Sequence, residues 1–285
     1  MKDKSAIRNP QSAIPKICLT IAGLDPSGGA GIIADIKTFT AFGCFATAAV
    51  TSLTFQNTTG VFGVIRQTAE SVRGQVEPVL QDFKVAALKT GMLPTREIIE
   101  EIAKIIKKYK LKNFFVDPVV SSTSGYDLID DDALRSLIEK LFPLAEIVMP
   151  NIPEAERITR IKINSENAIE KAARAMQNLG ARNVLIKGGH FENAKCKMQN
   201  AKLARDYLFA EDNLHIFEAE WIETDSTHGT GCTLSAAIAA NLANGKNLIE
   251  VVEIAKKFVT EAIRAAPQIG HGHSPINHSM LGFRF

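Results

Sequence analysis

Short apolar runs of strand length recur along this chain, and they do not alternate with polar residues. Ile17–Ala22, Phe45–Leu53, Val85–Leu88, Phe114–Val116, Ile147–Met149 and Val184–Ile186 are such runs. Between them lie segments with apolar residues at helical spacing: Gly31–Phe42, Ala69–Phe83, Thr95–Tyr109, Asp131–Leu141 and Ser165–Leu179. A strand that is apolar on both faces has to be covered on both faces. The alternation therefore predicts an α/β fold: a single domain with a mostly parallel central sheet and helices on both faces. Thr95 suits a helix N-cap, with Glu97, Glu100 and Glu101 early and Lys107 and Lys108 late, an order that complements the helix dipole at both ends. Two later runs, Leu203–Phe209 and His215–Ala219, read as an antiparallel pair that could form a flap. Cys232–Leu242 and Leu248–Ala265 read as the last two helices.

Composition removes several function classes. Among 285 residues, 33 Lys and Arg face 31 Asp and Glu, a net charge of +2. No basic excess is available to neutralise a phosphate backbone, so nucleic acid is not an expected partner. Cysteines at 18, 44, 196 and 232 show no CxxC spacing, which argues against a zinc site or a disulfide framework and for a reducing, cytoplasmic setting. No apolar run approaches the roughly 18 residues of a membrane span. Residues 1–15 carry charges without an apolar core and read as a polar extension rather than a secretory signal. Residues 16–285 form the expected domain.

Polar residues recur just after strand ends: Asp117, Asn151 and Lys187. In open α/β sheets, ligands bind at the carboxyl ends of strands. The sharpest local feature is Asp225-Ser226-Thr227-His228-Gly229-Thr230-Gly231-Cys232-Thr233, leading directly into an Ala-rich helical run. Its glycines allow close backbone approach, and free N–H groups at a helix start favour an anion such as a transferring phosphoryl group. The bland alternative is a tight turn into a helix. No GxxxxGK[ST] occurs, which disfavours a Walker-type nucleotide site. Cys232 falls in the first turn of that helix, where a thiol pKa can drop from about 8.5 toward 7 and supply a base. Alternatively it is a small buried space-filler, the reading that suits Cys18 and Cys44.

A second glycine cluster, Gly23 to Gly31, follows the first strand. It is only loosely like a dinucleotide fingerprint, and a substrate-enclosing turn accounts for it equally well. Asp35 lies one turn into the next helix, as a site residue or a solvated acid. Gln56 offers donor and acceptor to the edge of a nitrogen heterocycle, or is a loop amide. Met92, in Lys89-Thr90-Gly91-Met92, is core or a flexible pocket wall. His190, His228 and His271 lie beside these segments and read as loop-organising residues rather than catalysts. His273 and His278 read as solvent-facing.

Taken together, TIAGLDPSGGAGIIADIKTF, TSLTFQNTTGV, KTGML, VDPVV, PNIPEA, IKGGH and STHGTGCTLSAAIAANLANG resemble the hydroxymethylpyrimidine/phosphomethylpyrimidine kinases of thiamine biosynthesis, in the ribokinase-like superfamily. The likeness runs from about Lys16 to about His278. It implies an ATP- and Mg²⁺-dependent kinase that phosphorylates 4-amino-5-hydroxymethyl-2-methylpyrimidine and then its monophosphate. It also implies roles. Cys232 is similar to the base, and Gly229, Thr230 and Gly231 to the anion hole. Gln56, Asp35, Met92 and Gly23 match substrate positions, Lys187 and Thr227 nucleotide positions, and Asp117 and Glu154 acids that hold Mg²⁺. Homodimerisation is common among such kinases. Ser121–Gly125 is more serine-rich than the family pattern, and 194–202 looks like a variable insertion. A pyridoxal kinase with the same GTGC geometry, or a non-catalytic sensor of thiamine precursors, are the competing readings.

Overall fold

The computed structural model describes residues 15–120, 127–189 and 203–279. The N-terminal extension, Ser121–Gly125, His190 and the 194–202 insertion with Cys196 all lie, wholly or nearly so, outside the described residues. Among the described residues, nine strands make one sheet: β1 (Ile17–Leu24), β2 (Phe45–Asn57), β3 (Gly60–Arg66), β4 (Val85–Thr90), β5 (Phe114–Val116), β6 (Ile147–Val148), β7 (Val184–Lys187), β8 (Leu203–Ala210) and β9 (Asn213–Glu220). Their spatial order is β3-β2-β1-β4-β5-β6-β7-β8-β9. The run from β2 to β7 is parallel throughout, and antiparallel hairpins close both edges.

Eight α-helices among the described residues cover the sheet: α1 (Gly31–Ala41), α2 (Ala69–Asp82), α3 (Arg96–Tyr109), α4 (Asp131–Leu141), α5 (Ile152–Thr159), α6 (Glu166–Asn178), α7 (Thr230–Ala243) and α8 (Leu248–Arg264). Successive residues of each central strand enter opposite cores. Leu19, Leu88, Phe114 and Val184 join the core under α2 to α6, while Cys18, Ala87, Phe115 and Leu185 join the one under α1, α7 and α8. That two-sided burial is why the strands read as unbroken apolar runs. Thr95 does cap α3, its side chain accepting from the Ile98 amide. Helix α7 is buried almost all round, from Thr233 to Ala243 except Leu242. Its small alanines let it press against the sheet with α1 and α8 beside it.

Three expectations change. The strands β8 and β9 do not form a separate flap: β8 pairs with β7 and extends the sheet. Strand β2 runs past Leu53 to Asn57 and folds back as β3, a hairpin hidden from sequence reading because Thr54, Gln56 and Asn57 interrupt its apolar pattern. His278 is buried rather than solvent-facing, hydrogen-bonded through Nε2 to the Thr233 hydroxyl at 2.9 Å. The segment after α8 returns across the molecule, bonding His273 N–H to the Thr58 carbonyl at 2.8 Å and bridging Pro275 to His228. This return carries His278 into the protein.

Burial disfavours the imidazolium, with the Lys37 and His228 charges adding to it, and pushes His278 down to about 4. Unfolded, the same ring titrates near 6.5. The unfolded state therefore binds the extra proton between those values, so stability falls as pH drops below 6.5 and the loss is complete near 4. From pH 7 to pH 5 this group is expected to cost about 2 kcal/mol. Thermal unfolding at the two pH values should show the drop, and His278→Gln should flatten it; an unchanged pH dependence in the variant would show that this histidine is not its source.

Candidate active site

The strand carboxyl ends open into a cavity of about 610 Å³. Its wall takes in Gly23, Gln56, Lys89, Met92, Asp117, Glu154, Lys187, Thr227, Gly229, Thr230, Gly231 and Cys232. Eleven of the residues singled out from sequence thus meet in one place, with Lys89 in addition. Asp35 is the exception. It is fully buried behind the wall, where both carboxylate oxygens lie 2.8 Å from Lys89 Nζ and one accepts the Thr20 hydroxyl at 2.6 Å. A carboxylate spent on a buried ammonium is not on offer to a ligand, so direct substrate contact by Asp35 is corrected to a place beneath the site.

Two loops with glycines mesh to form one side. Asp25 organises the first: it accepts from the Ser27 amide and hydroxyl and from the Ala30 amide at 2.7–2.9 Å. Its Oδ2 also lies 2.7 Å from His228 Nε2, which ties this loop to the second. Burial alone would raise the Asp25 carboxyl, but the bonds from His228 and Ser27 outweigh it and hold it below the usual range. Gly229 is the N-cap of α7, at φ +85°, and a Cβ there would collide with the Gly29 carbonyl oxygen. Gly31 is at φ +57°, where a Cβ would collide with the Gly23 carbonyl oxygen. Only glycine permits that approach at either position.

The amides of Gly231 and Cys232, in the first turn of α7, make no hydrogen bond among the described residues. Thr230 N–H is already turned back to the Thr227 carbonyl at 3.3 Å. The free amides are donors available to an anion. A Cβ on Gly231 would lie 3.4 Å from Lys187 Nζ, so the cation stands beside that helix start. Lys187 extends from the end of β7 to Asp117 Oδ1 at 2.6 Å, and Ser235 donates to Asp117 Oδ2 at 3.0 Å. Burial works against the Lys187 ammonium, but Asp117 and Glu154 overcome it and raise its pKa.

The Cys232 thiol behaves differently from the sequence expectation. Burial pushes it up, to about 11, instead of the helix start drawing it toward 7. Lys89 and the Gly31 amide pull it down, while Asp35 and Asp117 push it up. The helix dipole argument holds for an exposed thiol; enclosure by the meshed loops reverses the balance.

Gln56 and Met92 shape the opposite end. Thr54 donates to Gln56 Oε1 at 3.1 Å, and Gln56 Nε2 lies 3.4 Å from His228 Nε2. With that histidine nitrogen directed at Asp25, the Gln56 amide N–H groups remain available to a ligand acceptor. Met92 is fixed by Thr51, whose hydroxyl donates to its carbonyl at 2.7 Å, and its sulfur lies 3.4 Å from Ser52 Oγ. Gly23 faces both: a Cβ there would sit 2.9 Å from Ser52 Oγ and 3.1 Å from Met92 Sδ.

Glu154 belongs to a helix the sequence reading lacked. It is residue N3 of α5 and completes a capping box with Asn151, accepting from the Asn151 amide at 2.8 Å and from the Val120 amide at 3.3 Å. The Asn-x-x-Glu spacing was the available signal. Burial raises its pKa to about 7, with Asp117 adding to the rise and Lys187 opposing it. Among the described residues, no group of three or more His, Cys, Asp or Glu could cage a metal ion. The oxygens of Asp117 are engaged by Lys187 and Ser235 and those of Glu154 by the Val120 and Asn151 amides, so a cation arriving on a nucleotide would have to displace one of these partners. Sequence reasoning missed Lys89, Asp25 and the Asp206–Lys256 pair. Asp206 accepts from the Gly188 amide at 3.0 Å and from Lys256 Nζ at 2.7 Å, and so holds the turn after Lys187. A lysine inside the apolar run Val85–Thr90 was the one visible sign of Lys89.

No helix among the described residues is long and apolar enough to cross a membrane. A hydroxymethylpyrimidine/phosphomethylpyrimidine kinase from Staphylococcus aureus is 43% identical over 265 residues, covering 93% of this chain and 94% of that protein. The crystal structure of phosphomethylpyrimidine kinase from Clostridium difficile superposes with a TM-score of 0.75 at 41% identity, covering 87% of this chain and 99% of that one. Pyridoxal kinase from Bacillus subtilis, solved as an ADP complex, gives a TM-score of 0.83 at 35% identity over 93% and 98% of the two chains. The phosphomethylpyrimidine kinase family model matches residues 25–277, which take in the start of α7 and the carboxyl ends of β4 to β7, and the chain belongs to that family.

Proposed function

We propose that this kinase uses ATP to phosphorylate the hydroxymethyl group of 4-amino-5-hydroxymethyl-2-methylpyrimidine and then phosphorylates the monophosphate to the diphosphate, in thiamine biosynthesis. One observation carries the reading. The segment His228–Cys232 reaches Gln56 and Asp25 through His228 at one end and stands beside Lys187 through Gly231 at the other. A heterocycle at the Gln56 end and a triphosphate at the Lys187 end would therefore meet at the start of α7.

Phosphoryl transfer asks a protein mainly for positioning and charge neutralisation. The Gly231 and Cys232 amides take the anion-hole role, with Gly229 and Thr230 shaping the turn that presents them. Lys187 meets the nucleotide phosphates, and Thr227 belongs to the same nucleotide side. Asp117 and Glu154 would hold Mg²⁺, which when bound offsets charge on those phosphates. Gln56 donates to a ring nitrogen, and Met92 with Gly23 forms a flat apolar wall against the ring. Cys232 Sγ, in its thiolate form, receives the hydroxymethyl proton; with the thiol raised to about 11, that form is a minor one at neutral pH. The second phosphorylation needs no such acceptor, because a phosphate oxygen is already ionised at neutral pH.

The pyridoxal reading has one observation in its favour, the TM-score of 0.83 to the B. subtilis pyridoxal kinase. Both substrates are nitrogen heterocycles with a hydroxymethyl arm. The pyrimidine carries two ring nitrogens as acceptors and pyridoxal one, so the N–H groups left free on Gln56 meet an acceptor on more than one edge of the pyrimidine.

Two measurements follow. Cys232→Ala should slow phosphorylation of the alcohol by 10²–10⁴-fold, the usual range for a general base, and slow phosphorylation of the monophosphate by less than about 10-fold. Separate rate measurements on the two acceptors check this; equal losses would assign the thiol a shaping role. Gln56→Leu should lower kcat/KM for the pyrimidine alcohol by roughly 10–100-fold, the cost of one lost ligand hydrogen bond in an enclosed site. Parallel kcat/KM values on the pyrimidine alcohol and pyridoxal test the choice of substrate, and a preference for pyridoxal would overturn it.

A further inference from the structure

Ser52 is fully buried in β2, and its hydroxyl has one hydrogen-bond partner among the described residues: it donates to the Met92 thioether, with Oγ 3.4 Å from Sδ. A thioether is a weak acceptor. Burying a hydroxyl carries a cost that a weak bond offsets only in part, and alanine would fit the same strand face without it. Stability alone therefore does not account for the serine. Met92 and Gly23 line the cavity, as do Thr54 and Gln56, which share the Ser52 face of the strand. Ser52 itself lies behind that wall, out of reach of a ligand.

Met92 is held at both ends. The Thr51 hydroxyl fixes its carbonyl at 2.7 Å, and Ser52 fixes its sulfur. These two neighbours both reach it where the register of β1 against β2 shifts: Ala22 pairs with Val50 but Gly23 with Ser52, which leaves Thr51 as the extra residue. Bulges of this kind re-aim side chains beside active sites. The shift also sets Gly23 opposite Ser52, where a Cβ would lie 2.9 Å from the serine oxygen and 3.1 Å from the methionine sulfur. With glycine there, the sulfur lies close against the β1 backbone. An untethered methionine turns about three side-chain bonds and adapts to many ligand shapes. Tied at carbonyl and sulfur, Met92 is a wall of fixed shape.

We propose that Ser52 is a positioning residue for substrate choice: by tethering the Met92 thioether against Gly23, it fixes the wall of the ring end and so favours the pyrimidine alcohol over more heavily substituted heteroaromatic alcohols. This deepens the kinase reading and rests on it for the identity of the substrate. Pyridoxal carries four ring substituents and the pyrimidine three. A wall that cannot move meets the extra group and weakens binding of the larger ring, whereas a released methionine swings aside for it. Ser52 acts on the ligand only through the sulfur.

The test uses the full chain and has two arms. In the first, without substrate, the protein carries ¹³C-methyl methionine, and the Met92 methyl signal is assigned by its loss in Met92→Leu. Ser52→Ala should lower the order parameter of that methyl; an unchanged value overturns the tether. In the second, kcat/KM is measured on the pyrimidine alcohol and on pyridoxal. Ser52→Ala should cut the preference for the pyrimidine by about 3- to 10-fold, the worth of one modest hydrogen bond, mainly through a lower KM for pyridoxal. Ser52→Cys keeps a weak donor and should retain more of the preference than Ser52→Ala. In the Met92→Leu background there is no sulfur to tether, so Ser52→Ala should leave the preference unaltered. An equal loss in both backgrounds assigns the serine a general packing role and overturns the proposal, as does a loosened methyl with an unaltered preference. A chain that phosphorylates neither alcohol refutes the kinase reading itself, whereas one that phosphorylates them with the same preference before and after Ser52→Ala refutes the role of Ser52 alone.

Discussion

The close seating of the loop Asp25–Gly31 against the start of α7 is the constraint on which the site depends. At Gly29, Gly31 and Gly229 the backbone and the His228 ring occupy the space a side chain would need. The Asp25–His228 bond clamps the contact at 2.7 Å in a nearly dry setting. That seating turns the end of a parallel sheet into an enclosed chamber. It brings the free amides of Gly231 and Cys232 to the ends of β1 and β4.

Enclosure has two electrostatic consequences. It strengthens interactions with a phosphoryl group held against the buried wall, where fewer water molecules compete. It also penalises each uncompensated charge, which is visible in the upward displacement of both the Cys232 thiol and the Glu154 carboxyl. The protein answers with charges of opposite sign placed close together: Lys187 against Asp117, Lys89 against Asp35, Lys256 against Asp206. Each lysine comes from an element other than that of its partner, so the network also binds helix to sheet.

Much of this was legible in the linear sequence. The two-sided strands, the cap at Thr95 and the parallel order follow from local pattern, and each has a short-range cause. The residues that end strands, Asp117, Asn151 and Lys187, were recognisable because a parallel sheet gathers such ends on one edge. Other features were not legible. The capping box of Glu154 went unread, and its two oxygens are engaged by the Asn151 and Val120 amides. His278 looked like a tail residue, yet the chain after α8 carries it back to Thr233.

By itself, the order of residues determined the layered α/β architecture, the glycine loops and the set of side chains that meet at the cavity, because these depend on hydrophobic period and on positions where a Cβ is excluded. Only the tertiary structure decided which of those side chains are free to act. Asp35 and Lys89 are 54 residues apart, and their pairing turned a candidate ligand contact into a buried ion pair behind the cavity wall. Burial, and with it the proton affinity of Cys232, is a property of what surrounds a residue in space, and a one-dimensional pattern carries no record of that surrounding.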